Sequence, residues 1–215
     1  MSINIRGVFE NIEGYCLNLR TAKMAETREK LIAAARKAFA ESGYAAASMD
    51  SLTAEVGLTR GALYHNFGDK KGLLAAVVDQ IDTEMAMYAK DVGSKANNPW
   101  LGLLAEGAAY IEKALDPEVQ RIVLLDGPSV LGDPSQWPSQ NRCLQSTKNT
   151  LTQLIENGVL KPVDAEAVAM LMNGAALNAA LWIAANPDPA SALPRALEAF
   201  NMMATGVLAD KVQKV

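Results

Sequence analysis

The chain has 215 residues, of which 50% are hydrophobic and 20% charged, a balance typical of a soluble globular protein. No apolar run approaches the ~20 residues that a membrane span needs, and the N-terminus lacks the apolar core of a secretion signal, so we expect a cytoplasmic protein without membrane contact. The formal net charge of −4 does not by itself favour nucleic acid, although residues 24–72 carry seven Lys or Arg against six Asp or Glu.

Residues 1–23 carry apolar side chains three or four positions apart, as on one face of a helix. Two interpretations stay open. The segment is an extra amphipathic helix that docks on the body or on a partner, or it is an incidental extension before a natural start at Met24. The pattern is formed by Ile5, Val8, Phe9, Ile12, Tyr15, Cys16 and Leu19.

Helical periodicity is clear in Thr27–Ser42, where Leu31, Ala35 and Phe39 belong to one apolar stripe. Gly43 follows the last turn, where a C-cap glycine is common. Ser48 then suits the N-cap of a following helix.

The stretch 48–74 has the pattern of a helix-turn-helix, with short helices at Ser51–Val56 and Thr59–Asn66. Gly57 lies at the turn, a position that favours a residue free to adopt positive φ. Thr59 can cap the second helix. These helices leave a polar face whose size and chemistry suit a DNA major groove, formed by Thr59, Arg60, Gly61, Tyr64 and His65.

Proline placement predicts the remaining helices, because proline suits helix starts and loops. After a fourth helix from Lys70 to about Lys90, which Asp69 can cap, prolines delimit helices at 99–115, 117–131, 138–157, 164–186 and 190–210. No convincing strand pattern occurs, so the predicted fold class is all-α. The predicted organisation is an N-terminal extension at 1–23, a three-helix DNA-binding domain at 24–72 and a larger helical domain at 73–215.

The order of elements resembles the tetracycline-repressor (TetR) family of transcriptional regulators. The resemblance is closest over residues 25–75 and rests on the glycine turn, the capping Thr59, the Leu63–Phe67 ending and Lys70. It implies a DNA-binding head joined to a dimerising, ligand-binding domain. Two positions depart from the family pattern: Thr53 stands where alanine is usual, and Lys71 where an acidic residue is common.

The resemblance also implies roles for individual residues. Ser48, Tyr64 and Lys70 would contact phosphates of double-stranded DNA, with Thr59 near the backbone. Arg60 and Gly61 would approach base edges, and His65 a phosphate or base. Arg60 suits direct readout because a guanidinium can bond guanine O6 and N7 together. The alternatives are a solvated surface arginine at 60 and a partly buried core tyrosine at 64.

The last two helices are apolar or small on almost every face, which predicts burial on several sides. Self-association of these helices into a homodimer would achieve this; a central helix of a monomer is the alternative. Large side chains that could surround an effector cavity, or belong to plain core, are Trp100, Tyr110, Met170, Trp182, Phe200 and Met203. We expect an apolar or aromatic effector, or else a lipophilic cation held by Glu106 or Asp126.

Two other functional classes remain as alternatives. One is a small-molecule-binding or interaction protein whose DNA-binding head is vestigial. The other is an enzyme with a C-terminal cavity, which finds little support because no phosphate-binding glycine loop, nucleophile elbow or paired metal motif occurs. His65 is the only histidine and has no partner at ligand spacing, so we expect no metal and no cofactor.

Overall fold

The computed structural model describes the backbone of residues 5–209 and the side chains of residues 21–209. The chain divides into two compact units at Leu73 and Leu74. The α-helices are α1 (Ile5–Ala46), α2 (Met49–Glu55), α3 (Arg60–Phe67), α4 (Lys70–Ser94), α5 (Pro99–Glu112), α6 (Gly127–Leu131), α7 (Pro138–Glu156), α8 (Ala165–Ala184) and α9 (Pro189–Thr205). Within the described range the only β pairing is an isolated bridge between Leu160 and Leu208, so the predicted all-α class is confirmed.

Helix α1 begins before the predicted Thr27, since its backbone is helical from Ile5, and its regular helical geometry stops after the predicted Ser42, with a further short helical stretch to Ala46. Gly43 interrupts it with φ 77° and ψ 164°, a conformation that glycine adopts without a Cβ clash. The backbone of the N-terminal extension is therefore continuous with α1. Its predicted apolar face lies outside the side chains that the structure describes.

The first unit has a core of large side chains without solvent exposure, which includes Leu31, Phe39 and Leu63. The turn between α2 and α3 has the predicted geometry, since Gly57 has φ 65°. Both predicted caps are present: Ser48 Oγ accepts from the Ser51 N–H at 3.3 Å, and Thr59 Oγ1 accepts from the Ala62 N–H at 3.2 Å.

Thr53, which departs from the family pattern, fits the close packing of α2. Its side chain is buried, and its hydroxyl donates to the carbonyls of Met49 and Asp50, each at 3.1 Å. A buried hydroxyl that finds acceptors within its own helix needs no partner elsewhere. The substitution is accommodated locally.

The second unit contains a π-helix at Val119–Asp126 followed by the short α6, where a single helix at 117–131 was predicted. The predicted bounds are confirmed, because residues 117–131 are helical without interruption, but the middle of this helix has π-type rather than α-type hydrogen bonds. The Gly127 N–H donates to the carbonyl of Ile122, five residues back. Short 3₁₀ segments at Lys113–Leu115 and Pro134–Gln136 complete the loops.

Helix α8 packs against α5, α7 and α9 and buries one side, which includes Ala169, Ala180 and Ile183. The opposite side is exposed, with Leu171 72% accessible, so burial on several sides does not occur within one chain. Ala165–Ala184 is also the one described helix that is long and apolar enough to cross a membrane by length and composition. This corrects the expectation that no such run exists, although a core helix of a soluble protein meets the same criterion.

Candidate DNA interface and effector cavity

Six of the seven predicted DNA-contacting residues are exposed, at α3 and at the N-caps of α2 and α3. Helix α3 is short and amphipathic: Leu63 points into the core, and its neighbours point outward. A methyl group added at Gly61 would meet only Thr59 Oγ1, at 3.7 Å, so another molecule can approach this backbone closely. The exposed residues are Ser48, Thr59, Arg60, Gly61, Tyr64 and His65.

Arg60 is held by two neighbours on this surface. Its Nη1 lies 3.3 Å from Asp50 Oδ1, and its Nη2 donates to Tyr64 Oη at 3.3 Å. The guanidinium carbon also lies 5.6 Å from the centre of the Tyr64 ring. The Tyr64 hydroxyl and then the Asp50 carboxylate raise the pKa of Arg60. The side chain is thus oriented but accessible, and Tyr64 is exposed rather than core.

Lys70 lies at the start of α4 and is half-buried. Its Nζ donates to the Ala45 carbonyl at 3.3 Å and lies 4.6 Å from the centre of the Tyr44 ring. The predicted cap of α4 is present, since Asp69 Oδ1 accepts from the Gly72 N–H at 2.7 Å. Lys70 therefore joins the end of α1 to the start of α4 in this structure, and its phosphate contact remains a prediction.

The second unit contains a cavity of about 400 Å³ between α4, α5, α7, α8 and α9. This volume is in the range of small-molecule sites. Its apolar wall includes Ala86, Met87, Leu103, Met172, Ala176 and Phe200. Its polar wall includes Asp82, Glu106, Tyr110, Ser139, Gln140, Arg142, Cys143, Thr147 and Asn173.

Only two of the six predicted effector residues, Tyr110 and Phe200, line this cavity. Trp100 is buried elsewhere in the core, and Met170 is 60% exposed on α8. Trp182 and Met203 line a separate groove on α8 and α9, which Phe200 also reaches. The other four residues were predicted from their size and apolar character, and neither property indicates towards which neighbours a side chain points.

Asp82 and Gln140 form the polar centre of the cavity, and sequence reasoning missed both. Gln140 Nε2 donates to Asp82 Oδ2 at 3.2 Å and to Tyr110 Oη at 3.3 Å. Burial raises the pKa of Asp82, and the side chains of Ser139 and Gln140 partly offset this effect. Burial also raises the pKa of the Tyr110 hydroxyl, which is therefore neutral. A signal existed: Asp82 interrupts the apolar stripe of α4, four residues after Val78 and three before Met85.

Charged side chains at the cavity form ion pairs. Lys90 Nζ lies 3.2 Å from Glu106 Oε1, and Arg142 Nη2 lies 2.8 Å from Asp79 Oδ1. Asp126, the other carboxylate considered for a cationic ligand, does not line the cavity and pairs with Arg121 at 3.3 Å. Among the described residues, no cluster of three or more His, Cys, Asp or Glu side chains could hold a metal ion.

Two family models match the chain. The model of bacterial regulatory proteins of the tetR family covers residues 31–77, and the model of the tetracyclin repressor-like C-terminal domain covers residues 100–207. The first segment contains the exposed surface on α3. The second contains four of the five helices that surround the cavity.

Individual relatives agree with these matches. A crystal structure of a TetR-family transcriptional regulator from Pectobacterium atrosepticum is 47% identical, with 88% of this chain and 97% of that chain covered and a TM-score of 0.81. The TetC protein of transposon Tn10 from Escherichia coli is 26% identical over 160 residues, 73% of this chain and 80% of its own. The HTH-type transcriptional repressor AcnR of Corynebacterium glutamicum is 35% identical over 71 residues, 33% of this chain and 38% of its own.

Proposed function

Because the chain belongs to the TetR family of ligand-responsive transcriptional regulators, we propose that it is a repressor. It binds a pseudo-palindromic operator as a homodimer and leaves the operator when a small molecule occupies the cavity. The family consists of transcriptional regulators, not enzymes. A vestigial head is not favoured, because the family match includes α3. As a DNA-binding regulator it would act in the cytoplasm.

The exposed surface on α3 carries this proposal. Arg60 reads a base, most simply guanine, through both ends of its guanidinium, and Gly61 admits close approach of the duplex. Ser48, Thr59, Tyr64 and Lys70 position the head by phosphate or backbone contacts, and His65 contacts a phosphate or base. Asp50 and Tyr64 orient Arg60 before DNA arrives, so less conformational freedom is lost on binding.

Exposed apolar side chains on α8 and α9 support the homodimer. A contiguous apolar surface of this kind marks an interaction site, and two helices from each copy would form a four-helix bundle. In that dimer two α3 helices would enter successive major grooves, ~34–36 Å apart. The large side chains that the bundle would cover are Met170, Leu171, Trp182, Met202 and Met203.

Helix α4 connects the cavity with the head within one continuous element. It begins at Lys70, which bonds the end of α1, and it supplies Asp82, Met87 and Lys90 to the cavity. A small molecule with an apolar or aromatic part fits the cavity wall. If it binds better to a conformation in which α3 is misplaced, the difference in affinity weakens operator binding.

The test is selection of genomic fragments by purified protein, followed by sequencing. We expect one palindromic site for the wild type and a roughly 10- to 100-fold loss of affinity for that site in Arg60→Ala. Lys30→Ala is the matched control, because Lys30 is an exposed cation of the same unit whose partner is Glu26. Affinity should also fall steeply as salt rises, since phosphate contacts release counterions.

Two outcomes would contradict the proposal. No enriched fragment at low salt would mean that the head does not read DNA. Equal losses in Arg60→Ala and Lys30→Ala would mean that Arg60 contributes only charge and not base recognition.

A further inference from the structure

Asp82 is a buried carboxylate with an unfilled bonding position. Its side chain lines the cavity and is 1% exposed. Oδ2 accepts from Gln140 and the Ser139 side chain also interacts with the carboxylate, whereas Oδ1 has no hydrogen-bond partner within the described part of the chain. A buried carboxylate without its full set of donors is costly, and a ligand that donates to Oδ1 would remove this cost.

The cations that line the cavity form their direct ion pairs with carboxylates other than Asp82. Lys90 pairs with Glu106 at 3.2 Å. Arg142 pairs with Asp79 at 2.8 Å and also donates to Thr83 Oγ1 at 3.2 Å. Two carboxylates line the cavity. Glu106 is paired with Lys90, whereas none of the described residues forms an ion pair with Asp82.

The surfaces around Asp82 are apolar or neutral. Met87 and Phe200 belong to the apolar wall, and Tyr110 and Gln140 stand beside the carboxylate as neutral groups. Aromatic rings also attract cations through their faces. A ligand that fits this arrangement has one cationic N–H donor at one end and an apolar body of small-molecule size.

We propose that the effector is a protonated organic amine with an apolar body, and that Asp82 binds its ammonium group. This inference rests on the proposed function, in which a small molecule in the cavity regulates operator binding. The ammonium donates to Oδ1, and its charge offsets the desolvated carboxylate. The apolar body covers the wall formed by Met87, Leu103, Met172 and Phe200.

The test uses three probes that differ in one end group: phenylbutylamine, phenylbutanol and phenylbutyrate. Calorimetric titration of the full-length wild type should give the tightest binding for the amine and the weakest for the carboxylate. In Asp82→Asn the amine should lose roughly 10- to 100-fold in affinity, as for a hydrogen bond to a charged group. The alcohol should bind both proteins within a few-fold, which also shows that the variant is folded.

Two variants serve as comparisons. Asp91→Asn makes the same substitution on the same helix at an exposed carboxylate outside the cavity, and it should retain amine binding. Glu106→Gln removes the other cavity carboxylate, which Lys90 already pairs. A larger loss of amine affinity in Glu106→Gln than in Asp82→Asn would overturn the assignment of Asp82.

Three further results would overturn the inference. These are equal affinities of amine and alcohol in the wild type, preference for the carboxylate, and absence of amine binding up to millimolar concentration. Failure of the proposed function is distinct, because it appears as the absence of an enriched DNA fragment in the genomic selection whatever the amine does.

Discussion

The candidate functional side chains of the two units differ in exposure to solvent. In the first unit, Arg60, Tyr64 and His65 are exposed on α3, while the core that supports them is plain and apolar. In the second unit, Asp82 is buried and Tyr110 lines the cavity, where a polar group must be satisfied or remain at a cost. Substitutions on the first surface therefore change binding with little effect on folding, whereas substitutions in the cavity change both.

The largest expected effect is on stability and distinguishes a core residue of the first unit from an exposed one. Leu63→Ala removes a side chain with no solvent exposure and should lower the free energy of unfolding by about 2–5 kcal/mol. Arg60→Ala, three residues earlier, should leave the denaturation midpoint almost unchanged. Chemical denaturation of both variants measures the difference. A large destabilisation by Arg60→Ala would mean that the Asp50 and Tyr64 contacts are structural.

A smaller effect is expected where the cavity wall is tightly packed. A methyl group at Gly107 would lie 2.4 Å from Cζ of the buried Phe200 ring. Gly107→Ala should therefore cost about 1–3 kcal/mol through overpacking. Gly174→Ala in α8 is the matched control, because a methyl group there meets nothing within 4 Å of one chain.

The control substitution should stabilise by about 0.5–1 kcal/mol, the usual gain over a helical glycine. Thermal melts of both variants at equal protein concentration test the pair. A neutral Gly107→Ala would indicate that Phe200 moves easily and that the cavity can change its shape. A destabilising Gly174→Ala would indicate that a second copy covers this position.

The smallest effect concerns the free-energy cost of burying the charged Asp82 side chain. Burial raises the pKa of Asp82 in the folded state, so the folded state binds this proton more tightly than the unfolded state does. The favourable contribution is complete below the unfolded pKa and is lost as pH rises through the folded pKa. At neutral pH, Asp82→Asn should therefore be more stable than the wild type, by roughly 0.5–2 kcal/mol.

This advantage should shrink as pH falls through the pKa of Asp82, since a protonated aspartate resembles asparagine. Melting temperatures of both proteins across the acidic range measure it, with Asp91→Asn as the exposed control. An advantage that stays constant with pH would show that packing, and not ionisation of Asp82, explains the change. A less stable variant at neutral pH would show that the bond from Gln140 outweighs the burial of the charge.

The first unit could be predicted in detail because its signals are local. Gly57, the caps Ser48 and Thr59, and the outward face of α3 each depend on neighbours within a few residues, and the structure contains them. The missed feature was Asp50, which reaches Arg60 from ten positions away. In the second unit the helix plan was largely correct, but the π-helical stretch Val119–Asp126 and most residues of the cavity, Asp82 and Gln140 among them, were not predicted.

By itself, the sequence determined the class of protein, most of the helices and the exposed face of α3, because caps, turns and periodicity act over one or two turns of chain. Only the tertiary structure decided which side chains meet inside the second unit. Gln140 bonds Asp82, which lies 58 positions earlier, and Tyr110, which lies 30 positions earlier. These contacts depend on how α4, α5 and α7 pack. Packing direction is a property of several helices together, so residue type alone could not place Trp100 outside the cavity and Asp82 within it.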